Sequence, residues 1–238
     1  MKIFYTVNEG LFLLDEKSGH GLLVDGIHRG SALGFSDTPE SLLRYMTERK
    51  GICSHVDALV FTHPHEDHYA PDMIPDIYRD KVHLAWEMAE EDLTFSPAAL
   101  TGSAEKAEKS GAERPKMTIF RTRHEGEAYR EVPHTSLFIR LGGKTVFLPA
   151  DADLISCREN IPSEKKADYI FLNPYQALSP VCEAYLRELS PERVFLYHRP
   201  YRIYPGSAYD NLARLAVRRY PISLPELEEI PPMTWIEN

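Results

Sequence analysis

The chain has 238 residues, with 27 Lys and Arg against 36 Asp and Glu and a net charge of −9; that balance argues against a surface built to grip extended nucleic acid, which shows itself as basic excess. Apolar residues make up 43% of the chain, ample for a core, while the three cysteines (Cys53, Cys157, Cys182) are too few and too scattered for a disulfide framework or a CxxC zinc site and point to a reducing compartment. No apolar run reaches the roughly 18 residues of a membrane span, and Met1-Lys2-Ile3-Phe4-Tyr5 lacks a signal peptide's basic and apolar regions, so a cytoplasmic protein with no membrane partner is expected.

The first thirty residues read as short strands at 3–7, 10–15 and 21–25, the last two joined by a turn at Lys17-Ser18-Gly19. Asp37-Thr38-Pro39-Glu40 supplies a cap residue and a proline to start a helix that ends near Lys50-Gly51, with Leu42, Leu43 and Met46 on one face. Ala58-Leu59-Val60-Phe61 is an apolar run of buried-strand type, and 82–86 predicts a further short strand. Residues 87–115, rich in Glu, Ala, Lys, Ser and Gly with alternating charge at 105–109, predict a helix and a solvated connection. Strands follow at 117–123, 136–141 and 145–148, the last two linked by the hairpin pair Gly142-Gly143. Two more buried strands, 169–172 and 194–197, alternate with helices at 180–189 and 208–219. No repeat or interdomain linker interrupts the pattern, which predicts one domain over 1–238.

The densest chemistry is His63-Pro64-His65-Glu66-Asp67-His68, directly after the 58–61 strand. Several nitrogen and oxygen donors delivered by one loop at a strand end are half of what metal-assisted hydrolysis requires. His134, Asp151 and His198 also stand at strand ends, where a rigid sheet holds a side chain at an open edge. Each alone reads as a surface or turn residue; beside the dense loop they form one candidate cluster.

In their order along the chain, His63, His65, Asp67, His68, His134, Asp151 and His198 resemble the metallo-β-lactamase superfamily, with its HxHxDH motif and later His, Asp and His. The resemblance covers about residues 3–200 and implies an α+β fold, a four-layered αβ/βα sandwich with a metal centre at one edge between two sheets. It implies one metal on His63, His65 and His134, a second on Asp67, His68 and His198, and Asp151 bridging them, with Asp25 supporting the metal loop without binding. It further implies two divalent ions, zinc by default and manganese or iron as alternatives, sharing a hydroxide that attacks the substrate, with Asp67 or Asp151 passing a proton to the leaving group. The diiron oxygen-reducing branch typically has a carboxylate at the position of His65 and carries a flavodoxin domain, for which this chain has no room, so hydrolysis is favoured over redox chemistry.

The substrate is less legible. His134-Thr135-Ser136 is similar to ribonuclease Z-like and phosphodiesterase members, while lactonases use the same ligands. Arg199, Tyr201 and Arg202 are candidate contacts to an anionic group, whereas Arg214, Arg218 and Arg219 read as a solvated helix face. His124 is positioned to line a pocket, though it reads first as a structural residue, like His20, His28, His55 and His83. The expectation is a dinuclear hydrolase acting on a small anionic ester or phosphodiester. A lactonase is the alternative, and a non-catalytic metal-binding sensor or interaction protein the reading from another class. Oligomeric state is left open.

Overall fold

A computed structural model describes residues 1–88, 115–199 and 208–236, and the backbone of 92–94. Among these residues the strands form two mixed sheets. The first has the order β13-β1-β2-β3-β4-β5, built from Thr234–Ile236 (β13), Lys2–Tyr5 (β1), Leu11–Asp15 (β2), His20–Val24 (β3), Val56–Phe61 (β4) and Val82–Leu84 (β5). The second has the order β12-β11-β10-β9-β8-β7-β6, built from Leu227–Glu229 (β12), Arg193–Leu196 (β11), Tyr169–Leu172 (β10), Lys144–Leu148 (β9), Thr135–Leu141 (β8), Lys116–Arg121 (β7) and Asp92–Thr94 (β6). In each sheet one half is antiparallel and the other parallel: β3-β4-β5 in the first, β9-β10-β11-β12 in the second.

Period-two alternation divides the apolar residues between layers. Ile3, Tyr5, Leu11, Leu13, Leu22, Val24, Ala58 and Val60 face Leu137, Ile139, Val146, Leu148, Phe171 and Phe195 in a core shared by both sheets. The alternate residues face outward. Phe12, Leu23, Leu59 and Phe61 pack under Leu42 and Met46 of helix α1 (Glu40–Thr47). Phe147, Ile170, Leu172, Val194 and Leu196 pack under α2 (Leu154–Asn160), α4 (Cys182–Leu189) and α5 (Ala208–Arg219), with the one-turn α3 (Pro174–Ala177) beside them. The result is the four-layered αβ/βα sandwich. Gly142 and Gly143, at φ 58° and 78°, make the tight β8-β9 hairpin.

Three expectations need correction. Asp37 does not cap α1, because its carboxylate accepts hydrogen bonds from the Ser31 amide and hydroxyl instead. The 82–86 strand ends at Leu84 and tightens into a 3-10 turn over Ala85–Glu87. Within 87–115, residues 92–94 pair with β7 as a strand, where helix and connection were expected; most of that expectation lies outside the described residues. Also among the described residues, no helix is long and apolar enough to cross a membrane.

The inter-sheet core sets the separation of the two sheets, and Phe195, buried and stacked on Phe171 at 4.8 Å between ring centres, lies within it. Replacing Phe195 with Ala removes a buried ring and leaves a cavity, with an expected cost of about 3–5 kcal/mol. Urea unfolding measures this, and a loss below about 1 kcal/mol would contradict the packing described.

Candidate metal centre

All the candidate ligands gather at one edge because the strand directions bring them there. Parallel β3 and β4 end together, so Asp25 follows one and His63 the other, and antiparallel pairing brings the β1-β2 turn to the same edge. In the second sheet β9 and β11 end at that edge, ahead of Asp151 and His198. There β7 ends and β8 begins, which places His124 and His134 beside them. Ligand sites at the carboxyl ends of parallel strands are the usual outcome in such sheets.

Asp151 occupies the middle. Its Oδ2 lies 3.4 Å from His68 Nε2, 3.9 Å from His63 Nε2 and 3.8 Å from His124 Nε2, while Oδ1 lies 3.3 Å from His198 Nε2. Asn173 Nδ2 donates to Oδ1 at 3.0 Å and fixes the plane of the carboxylate. Asn173 is itself held by a capping box at the start of α3, and Gln176 of that turn donates to the Ala150 and Ala152 carbonyls on either side of Asp151.

Asp25 supports the loop from behind. Its carboxylate accepts from the Thr62 amide (2.9 Å), the Thr62 hydroxyl (2.6 Å) and His68 Nδ1 (2.9 Å), which leaves His68 Nε2 aimed at the centre.

Three groups of side chains have donor atoms within 4.8 Å of one another: His63, His65 and His124; Glu9, Asp67, His68 and His198; and His63, His68 and Asp151. Two members, Glu9 and His124, were not among the ligands read from the sequence. His124 donates from Nδ1 to its neighbouring Glu125 carbonyl (2.6 Å), which turns Nε2 toward His65 Nδ1 at 3.2 Å. His134 stands close to His63, with ring centres 4.9 Å apart, but belongs to none of the three groups. Its Nε2 accepts the Asp151 amide at 3.1 Å and its Nδ1 meets the Thr122 hydroxyl at 2.9 Å.

The electrostatics divide the imidazoles. Burial lowers His63 and His134 well below the ordinary histidine value, and the neighbouring imidazoles push the same way. Burial also works against charge on His68 and His198, but Glu9 and Asp151 outweigh it and hold both well above that value. Burial opposes ionisation of Asp151, yet His198 and His68 keep its carboxyl well below the usual range. Glu9 is pushed up to about 7 by burial, against the pull of the same two histidines.

These residues fit divalent metal ions on two counts. Both carboxylate oxygens of Glu9 and the Nε2 atoms of His63 and His68 are buried with no hydrogen-bond partner, a costly arrangement for polar atoms unless an ion meets them. The donor set, imidazoles with carboxylates, is one that zinc, manganese and iron accept.

The centre forms the floor of an open cleft of about 900 Å³. Leu33, Phe35, Tyr129, Tyr175, Tyr209 and Leu212 wall it, and no Lys or Arg lines it among the described residues. Arg199, offered by the sequence as a substrate contact, directs its guanidinium to Glu229 at 2.7 Å and does not line the cleft. Tyr201 and Arg202 lie outside the described residues.

No protein-family model matches the sequence, and no curated protein matches it. Solved structures resemble the whole chain. The metallo-β-lactamase fold protein YhfI from Bacillus subtilis shares 15% identity with a TM-score of 0.54, over 99% of both chains. The isothiocyanate hydrolase from Delia radicum gut bacteria shares 12% identity with a TM-score of 0.58, over 100% of this chain and 99% of that one. CmlA, a diiron β-hydroxylase from Streptomyces venezuelae, shares 15% identity with a TM-score of 0.61, and this chain spans 54% of its length.

Removing the Asp25 carboxylate leaves the Thr62 and His68 donors without their acceptor. Asp25→Ala is therefore expected to weaken metal binding by on the order of 10–100-fold. Chelator competition measures this, and unchanged affinity would contradict the supporting role. At this edge of two sheets, with the layers and the His-rich loop described, the chain has the metallo-β-lactamase fold.

Proposed function

We propose that the chain is a metal-dependent hydrolase that cleaves an ester bond in a small substrate, using two divalent ions held on either side of Asp151. The observation that carries this reading is the convergence of buried imidazole and carboxylate atoms, several without hydrogen-bond partners, at the floor of an open cleft. His68, His198 and Asp67 would hold one ion and His63 and His65 the other. For the third imidazole beside His63 and His65 the geometry favours His124, with His134 bracing Asp151 through its backbone amide.

Divalent ions bound there would supply an activated water at neutral pH and polarise the bond under attack. The chain's own residues do the positioning. Asn173 fixes the Asp151 carboxylate between the two halves, and Asp25 fixes His68. Asp67 and Asp151 both reach the cleft, where either would relay a proton from the attacking water to the leaving group.

The cleft walls favour a neutral substrate, a lactone or an uncharged ester, over a phosphodiester. Aromatic and aliphatic side chains suit an apolar acyl or ring, and the described lining offers no guanidinium or ammonium to a phosphate. The fold by itself does not choose the bond, since it is shared by an isothiocyanate hydrolase and a diiron hydroxylase.

The test is a screen of metal-reconstituted protein against lactones, neutral p-nitrophenyl esters and bis-p-nitrophenyl phosphate. Turnover of the first two is expected, with a fall on the order of 100-fold or more in Asp151→Ala and His65→Ala. Preference for the phosphodiester would overturn the neutral-substrate reading. A protein loaded with two ions that turns over none of the three classes would favour the sensor reading. Metal content separates the two histidines: His124→Ala is expected to lose one ion per chain, whereas His134→Ala keeps both.

A further inference from the structure

Glu9 is a carboxylate that neither the motif order along the chain nor the hydrolytic reading requires. It lies in the turn between β1 and β2, in a segment buried on both sides, and is 1% exposed. Neither of its carboxylate oxygens has a hydrogen-bond partner. Oε1 sits in ion-pair contact with His198 Nε2 and 3.8 Å from His68 Nε2, and the Glu9 carboxylate groups with Asp67, His68 and His198 within 4.8 Å.

The backbone holds it there. Asn8 adopts a left-handed conformation, at φ 52°, and the Thr6 amide closes the turn onto the Gly10 carbonyl at 2.8 Å. At Gly10 a Cβ would stand 1.9 Å from Thr6 Oγ1, so a side chain at this one position would displace Thr6. The His198 amide donates to the Asn8 carbonyl at 2.7 Å, and the Asn8 amide to the Arg199 carbonyl at 2.9 Å. The Asn8 side chain exchanges hydrogen bonds with the Ser36 backbone, 2.7 Å to its carbonyl and 3.1 Å from its amide. The turn thus bridges the two sheets and is locked to the residue that carries His198. A buried carboxylate fixed this firmly, out of water and facing only the imidazoles of His68 and His198 and the carboxylate of Asp67, is placed for a cation.

We propose that Glu9 is a metal ligand, completing with Asp67, His68 and His198 a carboxylate-rich position, and that it biases this position toward a harder divalent ion, manganese or ferrous iron, relative to zinc. The proposal rests on the metal-binding part of the reading above and adds a ligand to it. With Glu9 and Asp67 the position offers two carboxylates for two imidazoles, and Asp151 Oδ1 is 3.3 Å from the second of those imidazoles. Carboxylate oxygens suit manganese and ferrous iron, whereas a set of imidazoles alone suits zinc and its neighbours. A Glu at this turn is therefore a lever on which ion the protein holds, separate from the His-rich loop.

The experiment compares the wild-type chain with Glu9→Gln, which keeps the volume and removes the charge. Metal-free protein of each kind is titrated with Mn²⁺ and with Zn²⁺, with stoichiometry read by elemental analysis and bound Mn²⁺ by electron paramagnetic resonance. Two Mn²⁺ per wild-type chain are expected. In Glu9→Gln, one of the two is expected to bind at least 10-fold more weakly, with a smaller change for Zn²⁺, so that selectivity moves toward zinc. A purely structural role for Glu9 would not move that selectivity. Two ions bound by the variant with unchanged affinity and unchanged preference would overturn the assignment of Glu9 alone. A wild-type chain that binds no ion would contradict the metal-centre reading together with it. Should Glu9→Gln fail to fold, Glu9→Asp carries the same test, since a carboxylate one methylene shorter is expected to weaken Mn²⁺ at one position only.

Discussion

The Asp151 carboxylate faces both halves of the site, with Oδ2 toward His63, His68 and His124 and Oδ1 toward His198. Four imidazoles converge on it, and three further side chains hold it in place. The Asn173 amide points at Oδ1, Gln176 ties down the carbonyls before and after it, and His134 accepts its backbone N–H. A carboxylate this enclosed is stable as an anion only among cationic or metal-bound partners, and burial of each surrounding charge is costly when any partner is missing. That constraint explains why the cluster is so heavily braced from outside.

The bracing includes backbone strain. Asn8, Asp25, Ala150 and His198 all have positive φ (52°, 45°, 52° and 60°), and each lies at or next to a group that faces the centre. Conformations of this kind cost about 1–3 kcal/mol each for residues other than glycine, and they persist where the surrounding structure over-determines them. Here the two sheets do so. Their shared core fixes the strand ends, and the Asn8–Arg199 bridge sews one sheet to the other directly under the site. The strain is least surprising at Asn8 and Asp25, whose short polar side chains tolerate it, and most telling at Ala150, which has no side-chain polar group to compensate.

Much of this was legible in the sequence. The near-continuous apolar runs in 11–14, 137–139 and 146–148 report strands with two buried faces, and Gly142-Gly143 reports the hairpin. The late strand and helix alternation reports the parallel half of the second sheet. Helix α2 escaped because its signal is a single cap, Asp153 accepting the Ile155 amide, over only seven residues. Helix α3 escaped because Asn173-Pro174-Tyr175-Gln176 is a capping box attached to one turn. The strand 92–94 is three residues long and owes its conformation to β7, so nothing local announces it.

The site was readable where donors are dense and unreadable where they are solitary. His63 to His68 stands out by concentration, and Asp151 and His198 by following apolar strands. Glu9 sits in Asn8-Glu9-Gly10, which has the composition of an ordinary solvated turn; its burial depends on Arg199 and Ser36, far away in the chain. His124 stands three residues past the end of β7, and its direction is set by a hydrogen bond to its own neighbour's carbonyl. The chain order places His124 beside a pocket but does not give its direction, and for Glu9 it gives neither burial nor direction.

The most direct test of the central claim is anomalous diffraction from crystals of the metal-reconstituted chain. Two strong peaks on opposite sides of Asp151 are expected, one at about 2.0–2.2 Å from imidazole nitrogens of His63 and His65 and the other at the same distance from His68 and His198. Ions found only elsewhere on the surface, or no ordered ion at this edge, would contradict the account.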